Sequence, residues 1–380
     1  MDYNLISADN HILEPPETYI ERVPKNLRDQ APRIMRGSDG GDGWSLDGTP
    51  PKQTFGLDAV GAIAGQNYDE YRNKGIRWEE VLPGNYEGAA HIKDNQADGV
   101  DAAAIYCSMW TKNIYYDLTD RNLALHCVRA YNDWLIDDFC STDPDRLFSL
   151  PILPVNDGVP AAVAEAERVI AKGGRGLFLP LSDVPYHDPQ YDPLWKVAVD
   201  AGVPVTIHRT GVSRQETAAK TASNSSIPGL YVAESTVQRF FSAVGPISNL
   251  IFTGLFDRFP ALVFVAAEVN CSWLPALAQQ MDQSYERQQK WAELTFNAVP
   301  SSYLGKNVFV TIVDDFLGYK LANDDSVLAS AAMFSSDYPH SQTLWPRSKE
   351  YIAEMTMGMS EDTKNQILFI NAARVYSLPD

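Results

Sequence analysis

The sequence predicts an α/β chain folded as an eight-stranded (β/α)8 TIM barrel, with a long insertion after the first strand. Three observations predict it. Eight short apolar runs recur along the 380 residues, separated by helical stretches, as in a parallel sheet buried on both faces. Eight is also the strand count of a closed barrel of this class. The rival fold, an open doubly wound sheet, carries a glycine-rich phosphate loop after its first strand. Here that strand runs instead into Asp9-Asn10-His11-Ile12-Leu13-Glu14-Pro15.

The first strand is expected over 4–9, followed by a short helix over 17–30. Residues 31–90 read as an irregular insertion with a glycine cluster at 37–43 and Pro50-Pro51. So long a stretch between core elements serves function or assembly more often than connection. A helix end is expected over 91–98 and the second strand over 101–107, with Trp110 at its mouth. Residues 118–140 repeat apolar positions at three and four (Leu123, Val128, Tyr131, Leu135, Phe139), which predicts an amphipathic helix. The third strand follows at 146–153. An Ala- and Glu-rich helix over 157–172 stops at Gly173-Gly174. The fourth strand (176–180) precedes a helix over 189–201 closed by Gly202. The fifth strand is 203–208. Residues 209–230, with Ser223-Asn224-Ser225-Ser226, read as a polar, mobile loop. Residues 232–258 read as mostly helix, 262–268 as the sixth strand and 272–299 as helix. The seventh strand is 308–313, the eighth 331–335, and the last helix about 360–376. The whole chain, 1–380, reads as a single domain, with no internal repeat.

Composition narrows the function. A formal net charge of −18 argues against nucleic acid and against an anionic membrane surface, both of which need a basic face. A local arginine can still hold an anionic small molecule. No run reaches ~18 apolar residues, so no transmembrane helix is expected, and the N-terminus has no signal-peptide pattern. Cys107, Cys127, Cys140 and Cys271 are scattered, which suits buried thiols in a reducing compartment. A cytoplasmic protein acting on a small molecule, with a homodimer as its assembly, is the expectation.

The candidate site lies at the strand ends, where barrels of this class carry their chemistry. Asp9 and His11 are two apart in an extended segment and so face the same side. Glu14 lies just beyond and can curl back. His208 and Arg209 end the fifth strand, Glu268 the sixth, and Asp314-Asp315 the seventh. The eighth runs into Ser335-Ser336-Asp337-Tyr338-Pro339-His340. An ionisable residue directly after an apolar run is costly unless it is paired or ligated. That it recurs at the ends of the first, fifth, sixth and eighth strands points to a metal site. Imidazole and carboxylate donors suit Zn, Fe(II) or Mn(II). His91, His126 and His187 have no such setting and receive no role.

The chain resembles the amidohydrolase superfamily, in the branch related to aminocarboxymuconate semialdehyde decarboxylase. The resemblance rests on Ser7-Ala8-Asp9-Asn10-His11-Ile12-Leu13-Glu14-Pro15, Thr206-Ile207-His208, Phe259-Pro260 leading to Glu268, Ser336-Asp337-Tyr338-Pro339-His340 and Asn371-Ala372-Ala373-Arg374-Val375-Tyr376. It implies a metal-dependent barrel. Asp9 and His11 would form the first ligand pair, with His208 and Asp337 as further ligands. Three departures stand out. The first ligand is Asp rather than His, the fourth strand offers no lysine for a carbamate bridge, and Glu268 replaces the catalytic histidine of decarboxylase relatives.

The metal set expected is therefore Asp9, His11, Glu14, His208, Glu268 and Asp337. These are more donors than one open catalytic ion needs, which favours two ions, although one or two remain open. The expected activity is hydrolysis of an ester, thioester or amide by metal-activated water. Asp337, His340 and Glu268 would be its catalytic groups, Arg209 would hold a substrate carboxylate or pair with Glu268, and Trp110 and Phe178 would wall the pocket. The alternative is non-oxidative decarboxylation of an aromatic or unsaturated acid.

Overall fold

The computed structural model describes residues 3–56, 65, 68–209, 237, 238, 240–294 and 296–378. The polar loop expected over 209–230 lies outside them beyond Arg209, as do 232–236 of the following helical stretch. Ten strands are described: β1 (Ile6–His11), β2 (Arg33–Arg36), β3 (Asp42–Ser45), β4 (Ala102–Tyr106), β5 (Leu147–Ser149), β6 (Leu177–Phe178), β7 (Val205–His208), β8 (Phe264–Ala267), β9 (Val308–Ile312) and β10 (Ala332–Phe334). Eight of them are parallel and fall into two sheets, ordered β1-β4-β5 and β10-β9-β8-β7-β6. All eight are wholly buried, so their near-continuous apolar character is what a parallel sheet covered on both faces demands.

Hydrogen bonds cross both margins between the sheets. Beyond β5, Phe178 N donates to Pro151 O at 2.8 Å and Leu153 N to Phe178 O at 3.0 Å. At the other margin His11 N donates to Tyr338 O at 2.7 Å, and Ser335 Oγ to Asp9 O at 2.9 Å. The first and last strands are thus tied together where the sequence changes from apolar to polar.

The helices form where periodicity and caps coincide. In Arg121–Trp134 the Asp120 carboxylate accepts from Asn122 N and Leu123 N, satisfying two orphan donors of the first turn. Its buried face is Leu123, Cys127, Val128, Tyr131 and Trp134, and its last turn, 135–139, widens so that Cys140 N reaches Leu135 O. Val159–Ala171 starts on Pro160 and ends where Gly173 turns with φ +100°. Asp192–Ala201 ends on Gly202 at φ +64°, whose N–H closes on Ala198 O and Val199 O. In the last helical stretch Asn371 Nδ2 donates to Ala329 O and Ala332 O at 2.8 and 2.7 Å, holding it under β10.

Two features differ from the expectation. The 31–90 stretch, expected to be irregular, contains the antiparallel hairpin β2–β3, whose Trp44 is buried against Tyr19 at a 5.1 Å ring distance. Residues 57–64, 66 and 67 of that stretch lie outside the described residues. Met109–Asp117, where no helix was expected, is a helix. Ser108 caps it by accepting from Thr111 N at 3.0 Å, a signal readable only as a lone serine in the sequence. All four cysteines are buried free thiols.

Candidate metal centre

The site begins with an irregularity in β1. Its pairing with β4 runs Ile6↔Ala102 and Ser7↔Ala103, then Asn10↔Ile105 and His11↔Tyr106, so β1 holds one extra residue between Ser7 and Asn10. Such a bulge re-aims side chains. Asp9 and His11 join one cluster, while Asn10 is held by a separate polar network. Its Oδ1 accepts from Ser7 Oγ (2.6 Å) and Ser336 Oγ (2.9 Å). Its Nδ2 donates to Asn95 Oδ1 (3.1 Å) and meets His91 Nε2 at 3.0 Å. His91 Nδ1 lies 2.8 Å from Gly84 O. His91, given no role by the sequence, therefore braces the ligand strand from behind.

Asp9, His11, His208 and Glu268 offer ligand atoms that all lie within 4.8 Å of one another, and so do His11, Glu268, Asp337 and His340. His11 Nε2 is 3.1 Å from Asp9 Oδ1, 3.4 Å from Asp337 Oδ1 and 3.0 Å from His208 Nε2. His208 Nε2 is 3.2 Å from Glu268 Oε2. The His340 ring stacks on His11 at 3.7 Å, and its Nδ1 is 2.9 Å from Asp337 Oδ1. Asp9 Oδ1 and Asp337 Oδ2 are buried without a hydrogen-bond donor. Orphaned carboxylate oxygens facing two convergent imidazole nitrogens are what a divalent cation would satisfy. The donor set fits one.

Without a cation the charges strain against burial. Burial pushes the Asp9 carboxyl up to about 6, although His11 pulls the other way. Burial opposes charge on His11 too, but Asp9 and Asp337 outweigh it and hold its pKa up at about 9. Burial and the charge of His11 press His208 well below the usual histidine value. Burial lowers His340 against the opposing pull of Asp337. Asp337 is held low by His340 and His11 in spite of its burial.

Backbone strain is concentrated at the same points. Arg209, Glu268 and Asp337, each directly after or within three residues of a strand end, have φ values of +59°, +54° and +54°. Left-handed non-glycine backbone costs about 1–2 kcal/mol per residue and persists where the surroundings enforce it. Thr311 in β9 supplies part of that enforcement. Its Oγ1 accepts from Glu268 N at 2.7 Å and donates to Asp9 Oδ2 at 3.3 Å. Ser335 Oγ likewise accepts from Asp337 N at 3.1 Å while donating to Asp9 O. Neither hydroxyl was given a role from the sequence, because a hydroxyl in or beside an apolar strand carries no sign of its partner.

Several expected residues sit differently. Glu14 is not among the converging donors. Its carboxylate is fully buried and accepts from Tyr19 Oη at 3.0 Å and Ser108 Oγ at 2.7 Å. Pro15 and Pro16 follow it, and the chain carries it towards the Met109–Asp117 helix rather than back to Asp9. Asp315, at the end of the seventh run, accepts from Cys271 N, Ser272 N and Gly318 N and so shapes the turn after β8. Trp110 is 5% exposed and meets Phe55 edge-on at 5.5 Å, a packing that ties it to the 31–90 stretch. Phe178 lies nearer the cluster, 5.7 Å from Tyr106, whose ring is 5.4 Å from His208 and 6.0 Å from His11. Of the two possibilities for Arg209, the structure has the ion pair: both Nε and Nη2 donate to Glu268.

The family model described as Amidohydrolase matches residues 115–378. The chain belongs to the amidohydrolase family. Among solved structures, an amidohydrolase from Mycobacterium avium subsp. paratuberculosis K-10 is similar with a TM-score of 0.73 and 20% identity, covering 99% of this chain and 100% of the other. A 2,6-dihydroxybenzoate decarboxylase from Rhizobium is similar with a TM-score of 0.64 and 17% identity, over 99% of each chain. The 5-carboxyvanillate decarboxylase from Novosphingobium aromaticivorans DSM 12444, complexed with manganese and 4-hydroxy-3-methoxy-5-nitrobenzoic acid, gives 0.63 and 19%, over 99% of this chain and 96% of that one. At such identities the likeness establishes the fold alone. No curated relative matches the chain. Among the described residues no helix is long and apolar enough to cross a membrane.

Proposed function

We propose that this amidohydrolase-family chain is a metal-dependent, non-oxidative decarboxylase of an aromatic carboxylic acid. The observation that carries the reading is the convergent set of imidazole and carboxylate donors with buried aromatic rings packed directly beside it. Tyr106 lies against His11 and His208, and Phe178 lies edge-on to Tyr106. That arrangement suits a flat ring whose carboxylate faces the donors. The likeness to two aromatic-acid decarboxylases supports the same reading, as does the loss of Glu14 from the donor set, which weakens the case for a carboxylate-bridged pair of ions. The hydrogen bonds across both sheet margins support a closed barrel around this site.

Asp9, His11, His208 and Asp337 would hold the cation, with Glu268 beside them. A bound divalent ion would supply positive charge that orients a carboxylate and its neighbouring oxygen. Loss of CO2 breaks the carbon–carbon bond and leaves the electron pair on the ring carbon, which must gain a proton. The Asp337–His340 pair is the proton-handling group nearest that position. His340 is the part-exposed member, with a side chain 15% accessible beside a fully buried Asp337. Glu268 is less free to take part, because Arg209 engages it from two nitrogens.

Hydrolysis of an acyl bond is the competing reading, and one experiment separates them. Manganese-loaded protein is offered hydroxylated benzoic acids and, separately, aryl esters and acyl thioesters. Release of CO2 with formation of the matching arene supports decarboxylation. Acid release from the esters or thioesters, with no CO2 from any benzoate, overturns it.

A further inference from the structure

Arg209, the cation beside the donor cluster, is committed to Glu268. A second cation near the site is not committed. Lys112 lies in the first turns of the Met109–Asp117 helix, which starts directly beyond β4 and is set by the Ser108 cap. Its side chain is partly buried. Its Nζ sits 5.9 Å from the centre of the Phe178 ring, the same ring that meets Tyr106 over the histidine pair. Among the described residues it has no ion-pair partner. Burial holds its pKa below the usual lysine value, and the charges of Cys107, Arg209, Glu268 and Asp9 all act on it. A lysine kept in such a place without an anion is an energetic liability unless a ligand completes it.

The geometry points to an anion site: we propose that Lys112 binds a second acidic group of the substrate, a carboxylate or acidic hydroxyl on the far side of the ring from the carboxylate that faces the donor cluster. The substrate class is then a dianionic aromatic acid. This inference rests on the reading of the site as one for aromatic acids, but it concerns binding and not the bond that breaks.

The test uses the manganese-loaded full chain and three probes: benzoate, isophthalate and terephthalate. Binding is measured by calorimetry on wild type, Lys112→Met and Lys112→Arg, with metal content determined alongside. The expected result is that at least one diacid binds wild type about tenfold or more tightly than benzoate. Lys112→Met removes that preference while benzoate affinity and metal content stay within about twofold. Lys112→Arg, which keeps the charge, retains most of the preference and shows that the methionine effect is not a folding defect. Tenfold corresponds to about 1.4 kcal/mol, within the range of a single charge-assisted contact. Equal affinity for mono- and diacids, an equal loss for all three probes in Lys112→Met, or no binding of any probe overturns the inference. CO2 release without Lys112-dependent diacid binding sinks this inference and leaves the decarboxylase reading standing. Lys112-dependent binding with no CO2 from any acid does the reverse.

Discussion

His340 stacks on His11 with ring centroids 3.7 Å apart and planes 22° apart, while its Nδ1 lies 2.9 Å from Asp337 Oδ1. A ligand imidazole, a carboxylate and a second imidazole thus form one contiguous unit. The stack fixes where His340 can present its remaining nitrogen, and the Asp337 contact selects the Nδ1-protonated tautomer. Replacing His340 by Phe keeps the stacking surface and removes the proton-carrying nitrogens. We expect metal content to remain near wild type and kcat to fall by about 100-fold or more, the usual yield of a positioned acid or base. Steady-state kinetics with elemental analysis checks both.

Metal removal should distinguish ligands from neighbours. Losing a residue that orients a ligand weakens metal affinity by about 10–100-fold, and losing a ligand costs more. His208→Ala should therefore lower manganese occupancy sharply at sub-stoichiometric supply. Glu14→Gln should retain it, because Tyr19 and Ser108 already satisfy that carboxylate. The glutamate variant should be less stable instead, by about 1–3 kcal/mol, from the disturbed hydrogen bonds. Equal metal loss in both variants would return Glu14 to the ligand set.

The contrast between these two residues marks how far the sequence can be read. Asp9, His11, His208, Glu268, Asp337 and His340 could be singled out because a charge beside the end of an apolar strand needs a partner, and their ligand atoms fall into two close groups that share His11 and Glu268. Glu14 follows the same rule locally, but its destination depends on the helix capped by Ser108, which lies 94 residues away. Lys112 carried no signal in the sequence, since its orientation over Phe178 is set by tertiary packing. Left-handed backbone at Arg209, Glu268 and Asp337 was equally hidden, because sequence leads one to expect glycine or asparagine there.

Arg209 and Glu268 make a prediction of their own. The glutamate is 1% exposed and the arginine about a third exposed, 36% by side chain, so removing the arginine strands a buried carboxylate. Breaking such a pair from one side costs about 3–5 kcal/mol when burial is complete, and less with one partner near solvent. Arg209→Met should lower the melting temperature of the metal-free protein clearly, and that of the manganese-loaded protein less, because a nearby cation offsets the stranded charge. Scanning calorimetry with and without metal reads the difference. An equal loss in both states would show that the cation does not reach Glu268.

His91 gives the chain a pH dependence of folding that is separable from catalysis. It is fully buried, and burial brings its pKa down to about 4 from an ordinary 6.5, with the Gly84 carbonyl opposing and His11 adding to the shift. The unfolded chain therefore binds a proton at this group between those values while the folded chain does not. Stability from this term is complete above about pH 6.5 and is lost as pH falls towards about 4. The full linkage is about 3 kcal/mol, of which about 2 kcal/mol disappears between about pH 7.5 and about pH 5. His91→Gln has no titrating group. It can still accept from Asn10 but loses the bond to Gly84, so it should be less stable than wild type near pH 7.5. The gap between the two proteins should then narrow, or reverse, near pH 5. Urea unfolding at both pH values measures that gap directly, and a constant gap would mean that His91 takes up its proton equally in the folded and unfolded chains.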